Sequence, residues 1–83
     1  MTIHPDVVFR VLDDGAVLVD LSTNQVFELN TSGAFVWERV TLGDAPDAIV
    51  DAVIARFDVD RDAARGDVTE LLAALASRGL VRP

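Results

Sequence analysis

Residues 26–37, Val-Phe-Glu-Leu-Asn-Thr-Ser-Gly-Ala-Phe-Val-Trp, decide the fold of this chain because their periodicity changes halfway along. Apolar and polar side chains alternate around Val26–Leu29, which is typical of a β-strand. The apolar residues that follow have the spacing of a helix face: Gly33, Val36, Trp37 and Val40. Asn30 or Thr31 is placed to cap that helix. We therefore predict a short strand that leads directly into a helix starting near Ser32.

The residues before this stretch predict two further strands. Val7–Leu12 is rich in β-branched and aromatic residues, and Ala16–Leu21 is similarly apolar. Between them, Asp13-Asp14-Gly15 is a hairpin signal because Asp and Gly tolerate positive φ angles. The polar segment Ser22–Gln25 is short enough for a second turn. We expect an antiparallel meander of three strands.

The residues after it predict two further helices. Asp44 is a candidate N-cap for the second helix, and Pro46 fits its first turn. The apolar face of the second helix is Ile49, Val53 and Phe57. Asp60 is a candidate cap for a third helix over about residues 61–78. The apolar stripe of the third helix is Ala64, Val68, Leu71, Leu72 and Leu75.

Strands followed by helices indicate an α+β fold. The expected architecture is a winged helix-turn-helix, a three-stranded antiparallel sheet followed by three helices, in one domain over residues 1–83. Hydrophobic residues make up 51% of the chain, which suffices for one core. The N-terminus around His4 is expected to be frayed.

The charge of the chain argues against nucleic acid as a partner. The formal net charge is −7, and the seven basic residues are all arginines that form no continuous stripe. Binding to DNA or RNA depends on neutralising phosphates with basic side chains. The chain has no cysteine, no signal-peptide pattern and no apolar run long enough for a membrane span. A cytoplasmic protein that contacts no membrane is the expectation.

The sequence offers no set of catalytic residues. His4 is the only histidine, and it lies at the chain end. Asp58–Asp62 has a faint likeness to a calcium loop but lacks the following Gly and the distal Glu. Phosphate-binding loops and nucleophile elbows are missing too. We predict a protein that is not an enzyme, with no catalytic residue, no metal site and no cofactor.

Two features favour recognition of a peptide. In a three-stranded meander the third strand has a free edge, to which an extended peptide can add as a further strand. The alternative is that the chain's own tail covers this edge. The third helix also carries Asp67, Leu71, Ala74 and Arg78 beside its apolar stripe. They predict a groove with an apolar floor and charged rims, unless they are ordinary boundary residues.

Several segments together resemble the PqqD-like family. They are Val17–Asp20, Val26–Glu38, Asp67-Val68, Leu71-Leu72, Leu75 and Gly79-Leu80, and they span nearly the whole chain. The most specific piece is the aromatic-x-Leu-Asn…Gly-Ala-x-x-Trp pattern within Val26–Glu38. The quinone-cofactor member of the family typically ends in Gly-Trp, where this chain has Gly79-Leu80. The chain is more similar to the stand-alone recognition proteins of lasso-peptide pathways.

The resemblance implies a RiPP recognition element, which binds the leader segment of a ribosomally made precursor peptide. It also implies a second partner, which is a radical-SAM enzyme, a leader peptidase or another modifying enzyme. The leader would pair with the third strand and lie against the third helix. The candidate peptide-binding residues are Gln25, Val26, Phe27, Glu28, Leu29, Ala64, Asp67, Val68, Leu71, Ala74, Leu75 and Arg78. The competing hypothesis is a winged-helix regulator that binds DNA.

Overall fold

A computed structural model describes residues 1–82 of the chain. Its elements, in chain order, are β1 Thr2–Ile3, β2 Val7–Leu12, β3 Gly15–Asp20, β4 Gln25–Asn30, α1 Thr31–Thr41, α2 Pro46–Phe57, α3 Arg61–Ser77 and β5 Val81–Arg82. Strands β2, β3 and β4 form one antiparallel sheet in that order, and three helices follow. This confirms the predicted α+β fold. Within residues 1–82, no helix has the length and apolar character needed to cross a membrane.

The pairing of the three strands assigns every side chain to one of two sheet faces. Phe9, Leu18 and Phe27 lie opposite one another in a row on the inner face, which the helices cover. Successive residues of a strand point to opposite faces, so the neighbouring row of Val8, Val19 and Val26 lies on the outer face. The alternation predicted around Val26–Leu29 is thus confirmed, with Phe27 toward the core and Val26 away from it.

Gly15 is needed for a reason that the sequence did not indicate. The hairpin forms as predicted, but Asp13, Asp14 and Gly15 are not among the residues with positive φ. Gly15 is instead the first residue of β3 and pairs with Asn30 of β4. A Cβ atom on Gly15 would overlap the carbonyl oxygen of Leu29. Glycine therefore permits the close approach of β3 to the end of β4.

Strand β4 passes into α1 without a loop. Asn30 is the last residue of β4 and also the N-cap of α1, with an extended backbone at φ −74° and ψ −177°. Its side-chain oxygen accepts a hydrogen bond of 2.8 Å from the backbone N–H of Gly33. One of the helix's unpaired first-turn N–H groups is thereby satisfied. Of the two caps considered from the sequence, Asn30 is the one used.

The core lies between the inner sheet face and the three helices. Its largest fully buried side chains are Trp37, Leu18, Ile49, Leu80, Val50 and Val68. Trp37 is 0% exposed and meets the ring of Phe9 edge to face at 5.5 Å, as a core anchor should. Leu71 and Leu72 are only partly buried, so the predicted stripe of α3 reaches the surface at its edges.

The helix starts confirm one predicted cap and correct another. Asp60 caps α3 by accepting from the N–H of Ala63 at 2.8 Å. Asp44 was predicted to cap α2, but the N-cap is Ala45, which makes no side-chain cap bond. The carboxylate of Asp44 instead forms an ion pair with the Arg39 guanidinium, with an N–O distance of 2.6 Å. An ion pair with the preceding helix therefore replaced the local capping bond.

The two ends of the chain pair with each other, so the expected fraying at His4 is wrong. Strands β1 and β5 form a small antiparallel sheet with Thr2 opposite Arg82 and Ile3 opposite Val81. The N–H of His4 adds a hydrogen bond of 2.9 Å to the carbonyl oxygen of Leu80. Both ends are thus held away from the three-stranded sheet.

Two glycine substitutions test the close approach of β3 and β4. We expect Gly15→Ala to destabilise the fold by about 2 kcal/mol or more, because the backbone of β4 must shift to relieve the overlap. Gly66→Ala is the matched control, since Gly66 lies inside α3 with no atom near its would-be Cβ. It should stabilise by about 0.5–1 kcal/mol. Urea unfolding measures the change in unfolding free energy of each variant relative to the parent. Changes of the same sign in the two variants would contradict this account.

Asp20 closes the β3–β4 turn through a buried carboxylate. It accepts hydrogen bonds from the hydroxyl of Ser22 at 2.6 Å and from the N–H of Ser22 at 2.9 Å. The Ser22 hydroxyl contributes most to holding the pKa of Asp20 below its usual value, and it outweighs burial, which raises it. A lowered pKa in the folded state means that the charged carboxylate stabilises the fold above its usual pKa. That stabilisation is lost as the pH falls through the folded-state pKa.

Asp20→Asn should therefore destabilise the protein in a pH-dependent way. The difference in unfolding free energy between Asp20→Asn and the parent should be largest at neutral pH and shrink below about pH 4, because the carboxyl of the parent is then protonated first in the unfolded chain and, at still lower pH, in the folded protein. Urea titrations at pH 7, 5 and 3 measure it. Asp13→Asn, exposed at the β2–β3 turn, is the control and should change little. If the difference in unfolding free energy does not vary with pH, the substitution acts through the geometry of the hydrogen bonds to Ser22 and not through the loss of the negative charge.

Candidate functional site

The edge of β4 that faces away from β3 has no partner strand among residues 1–82. The sheet order places β4 at one side, and the chain ends pair with each other elsewhere. The alternative that the chain's own tail covers this edge is therefore not realised within the described residues. An uncovered edge presents unpaired backbone donors and acceptors.

The ladder pattern identifies which backbone groups of β4 are free. The N–H of Leu21 donates to Asp6 at 3.0 Å, so odd-numbered residues of β3 bond toward β2. Bonding direction alternates along an antiparallel strand, so the even-numbered residues of β3 bond toward β4. Their partners on β4 are Gln25, Phe27 and Leu29. The N–H and C=O groups of Val26 and Glu28 and the N–H of Asn30 are thus directed to the open edge, whereas the C=O of Asn30, as the N-cap residue, is turned into α1.

An open cleft of about 470 Å³ lies beside this edge, between the end of β4 and α3. Its lining residues are Glu28, Leu29, Asn30, Ser32, Gly33, Val36, Val53, Asp67, Val68, Glu70, Leu71 and Ala74. The apolar members form the floor and the carboxylates lie around it. Volumes of this size suit a side chain or a short segment of a ligand. We call it the β4–α3 cleft.

The charges of α3 differ between its two sides. On the side facing α2, Arg61 pairs with Asp51 at 2.9 Å and Arg65 pairs with Asp47 at 3.0 Å. Asp67 and Glu70 line the cleft, and Arg78, the C-cap of α3, lies over the ring of Phe27. None of these three makes an ion pair among residues 1–82, so their charges are available to a partner beside β4.

Arg78 lies over the first half of β4. Its guanidinium carbon lies 5.3 Å from the centre of the ring of Phe27, the third residue of the strand, which is a cation–π distance. Phe27 is half-buried and packs against the core. Because Asp67 lines the cleft beside the end of β4 and Arg78 lies beside its first half, α3 runs antiparallel to β4.

The structure brings together about half of the candidate peptide-binding residues. The ones that line the cleft are Glu28, Leu29, Asp67, Val68, Leu71 and Ala74. Gln25 and Val26 lie exposed on β4, and Phe27 and Arg78 meet each other. Ala64 is 0% exposed and Leu75 is 3% exposed, so both belong to the core and offer no surface to a ligand.

Sequence reasoning did not identify the cleft residues that come from other elements. Ser32, Gly33 and Val36 belong to α1, and Val53 belongs to α2. The apolar spacing of Gly33, Val36 and Val53 marked these three as core positions, and nothing local indicates that the edge of the core opens here. Glu70 was not among the candidate residues either. A search for acidic residues one turn from Asp67 would have found it.

The described residues offer little for catalysis. No group of three or more His, Asp or Glu side chains within residues 1–82 is arranged to hold a metal ion. Over the same residues, Asp20 is the one buried charged side chain, and its carboxylate already bonds to Ser22. The site combines an open strand edge, an apolar floor and charged side chains without ion-pair partners among residues 1–82.

A family model described as Coenzyme PQQ synthesis protein D (PqqD) matches residues 15–81. The chain belongs to the PqqD family. No curated protein matches the sequence significantly. The resemblance noted from the segment Val26–Glu38 is thereby confirmed.

Two solved structures share the fold of this PqqD-family chain. One is "TbiB1 in Complex with the TbiA(beta) Leader Peptide", with a TM-score of 0.90 and 38% sequence identity over 96% of this chain and 93% of that one. The other is "Lasso peptide synthetase B1 complexed with the leader peptide", with a TM-score of 0.86 and 25% identity over 98% of this chain and 95% of that one. Both relatives carry a leader peptide.

Proposed function

We propose that this PqqD-family chain binds the leader segment of a ribosomally made precursor peptide and presents the precursor to a modifying enzyme or leader peptidase. The observation that carries the proposal is the unpartnered edge of β4 beside the β4–α3 cleft. The two structural relatives, each in complex with a leader peptide, support it. The chain performs no chemistry of its own in this role. A cytoplasmic location remains a prediction.

The binding mode is strand addition. A leader in extended form pairs with the free backbone groups of Val26, Glu28 and Asn30. Each such hydrogen bond contributes about 0.5–1.5 kcal/mol net. Alternate side chains of an added strand point to the same face, so every second leader residue enters the cleft over Leu29 and Leu71. The backbone thus supplies affinity, and the cleft selects the sequence.

The ion pairs of α3 argue against the competing role in DNA binding. In a winged helix-turn-helix regulator, the recognition helix places basic side chains against phosphates and bases. Here Arg61 and Arg65 are already bound to carboxylates of α2. The charged residues that line the cleft are three acids, Glu28, Asp67 and Glu70, within a chain of net charge −7. A peptide is the ligand that this surface fits.

The outer face of the sheet is the proposed docking surface for the enzyme. Antiparallel sheets with one solvated face usually alternate apolar and polar residues. Here Val8, Val19 and Val26 form an apolar row across all three strands, and Val8 is 48% and Val26 60% exposed. A leader added at β4 would extend this face by one strand. An enzyme docked there would contact recognition protein and leader together.

Strand addition predicts that the backbone of Glu28 matters more than its side chain. Glu28→Pro removes an N–H that faces the open edge but leaves the β3 ladder intact, so it should abolish leader binding in a folded protein. Glu28→Gln keeps the N–H and should bind within about twofold of the parent. The TbiA(beta) leader serves as the probe in a calorimetric titration, and circular dichroism checks the fold.

The same titration, followed by amide NMR, locates the ligand. Shifts should cluster on residues 25–30 and 64–78, which form the strand edge and the cleft side of α3. Shifts confined to residues 41–44 or 58–62 would contradict strand addition. Binding by Glu28→Pro that equals binding by Glu28→Gln would contradict it as well.

If the enzyme docks on the outer face, a substitution there should impair processing by the enzyme without changing leader binding. Val8→Lys places a charge in the apolar row, on the strand farthest from β4, so leader affinity should stay unchanged. Processing of the full precursor by its enzyme should fall at least tenfold, because burying an unpaired charge at an interface is costly. Val59→Lys, an exposed apolar site between α2 and α3, is the control and should leave both unchanged. Full processing with Val8→Lys would place the enzyme elsewhere.

A further inference from the structure

The β4–α3 cleft and the strand edge beside it carry opposite charges at their two ends. Asp67 and Glu70 lie at the end of β4 that leads into α1, where both line the cleft. Arg78 lies beside the first half of β4, over the ring of Phe27. All three side chains are exposed, and none forms an ion pair among residues 1–82. Arg61 and Arg65 of α3, by contrast, are paired with carboxylates of α2.

The N-terminus of α1 makes the electrostatic potential near Asp67 and Glu70 less negative but does not cancel it. Ser32 and Gly33 of the first helical turn line the same part of the cleft. A helix N-terminus is equivalent to about half a positive charge. The N–H of Gly33 is also already taken by Asn30. Two full carboxylate charges therefore outweigh it, and the end near Asp67 stays negative.

The direction of the peptide turns this polarity into a sequence requirement. All pairings in the sheet are antiparallel, and antiparallel pairing is the slightly more stable arrangement. A peptide antiparallel to β4 starts at the Asn30 end and finishes at the Gln25 end. Its N-terminal part then lies by Asp67 and Glu70, and its C-terminal part by Arg78.

The spacing follows from the helix. Asp67 and Arg78 are eleven positions apart on or just after α3, which corresponds to about 16 Å along the axis. An extended chain covers that distance in about five residues. We propose that this chain selects leader segments with a Lys or Arg four to six residues N-terminal to an Asp or Glu, bound antiparallel to β4. This rests on the proposed function and adds the charge pattern and direction of the ligand.

The test is a selection from a phage-displayed library of random 12-residue peptides on the purified protein. Enriched peptides should carry the basic residue before the acidic one at this spacing. A synthetic copy with the two charges exchanged should bind about tenfold more weakly, and the gap should narrow at 0.5 M salt because exposed charges are screened. Enrichment without a charge order, or with the reverse order, would overturn the inference.

A charge-reversed protein supplies the matched control. In Asp67→Lys/Glu70→Lys/Arg78→Glu the polarity is inverted, and the affected side chains are exposed and unpaired, so the fold should persist. The exchanged peptide should now be preferred. An unchanged preference would overturn the inference. If the triple variant does not fold, Arg78→Glu alone is tested: its preference at the acidic position of the peptide should change to a basic residue, and no change would overturn the inference. If no enriched peptide shifts the amides of residues 25–30, the proposed function itself fails.

Discussion

The arrangement of this molecule depends on the junction at Asn30, where β4 becomes α1 within a single residue. Asn30 pairs with Gly15 through its backbone and caps α1 through its side chain. The strand and the helix are thereby fixed to each other without a flexible loop. Because α1 also packs on β3, the edge of β4 keeps its position relative to the helices. A binding edge held in this way needs little ordering when a ligand arrives, which lowers the entropic cost of association.

Most edge strands in proteins are shielded, whereas the outer edge of β4 in this small domain has no partner strand among the residues that the structure describes, 1–82. The chain instead uses its own ends to cover each other, in the β1–β5 pair. Its high negative charge opposes the self-association that an open edge and an apolar outer face would otherwise promote. The open edge and the outer face, which could otherwise cause aggregation, thus stay accessible to other chains.

The sequence predicted the features that depend on local chemistry. Alternation marked β4, helical spacing marked α1 to α3, and Asn30 and Asp60 were recognisable as caps. It did not predict the features that depend on contacts with other parts of the fold. Two-residue strands such as β1 have no periodicity to detect, and the ion pair of Asp44 with Arg39 competed successfully with a local cap. The cleft was only half predicted, because Val36 and Val53 carry the spacing of core residues and become cleft lining only through the way α1, α2 and α3 are assembled.

The adjacency of Thr2 and Arg82 has a consequence for how such a unit can be combined with other polypeptides. A unit whose entry and exit points lie side by side can be spliced into a surface turn of a host protein, or joined to a neighbour at either end, with short connectors. The strand edge of β4 belongs to the other sheet and would stay accessible in each of these arrangements. The open edge of β4 is therefore independent of the way in which the two ends are tethered.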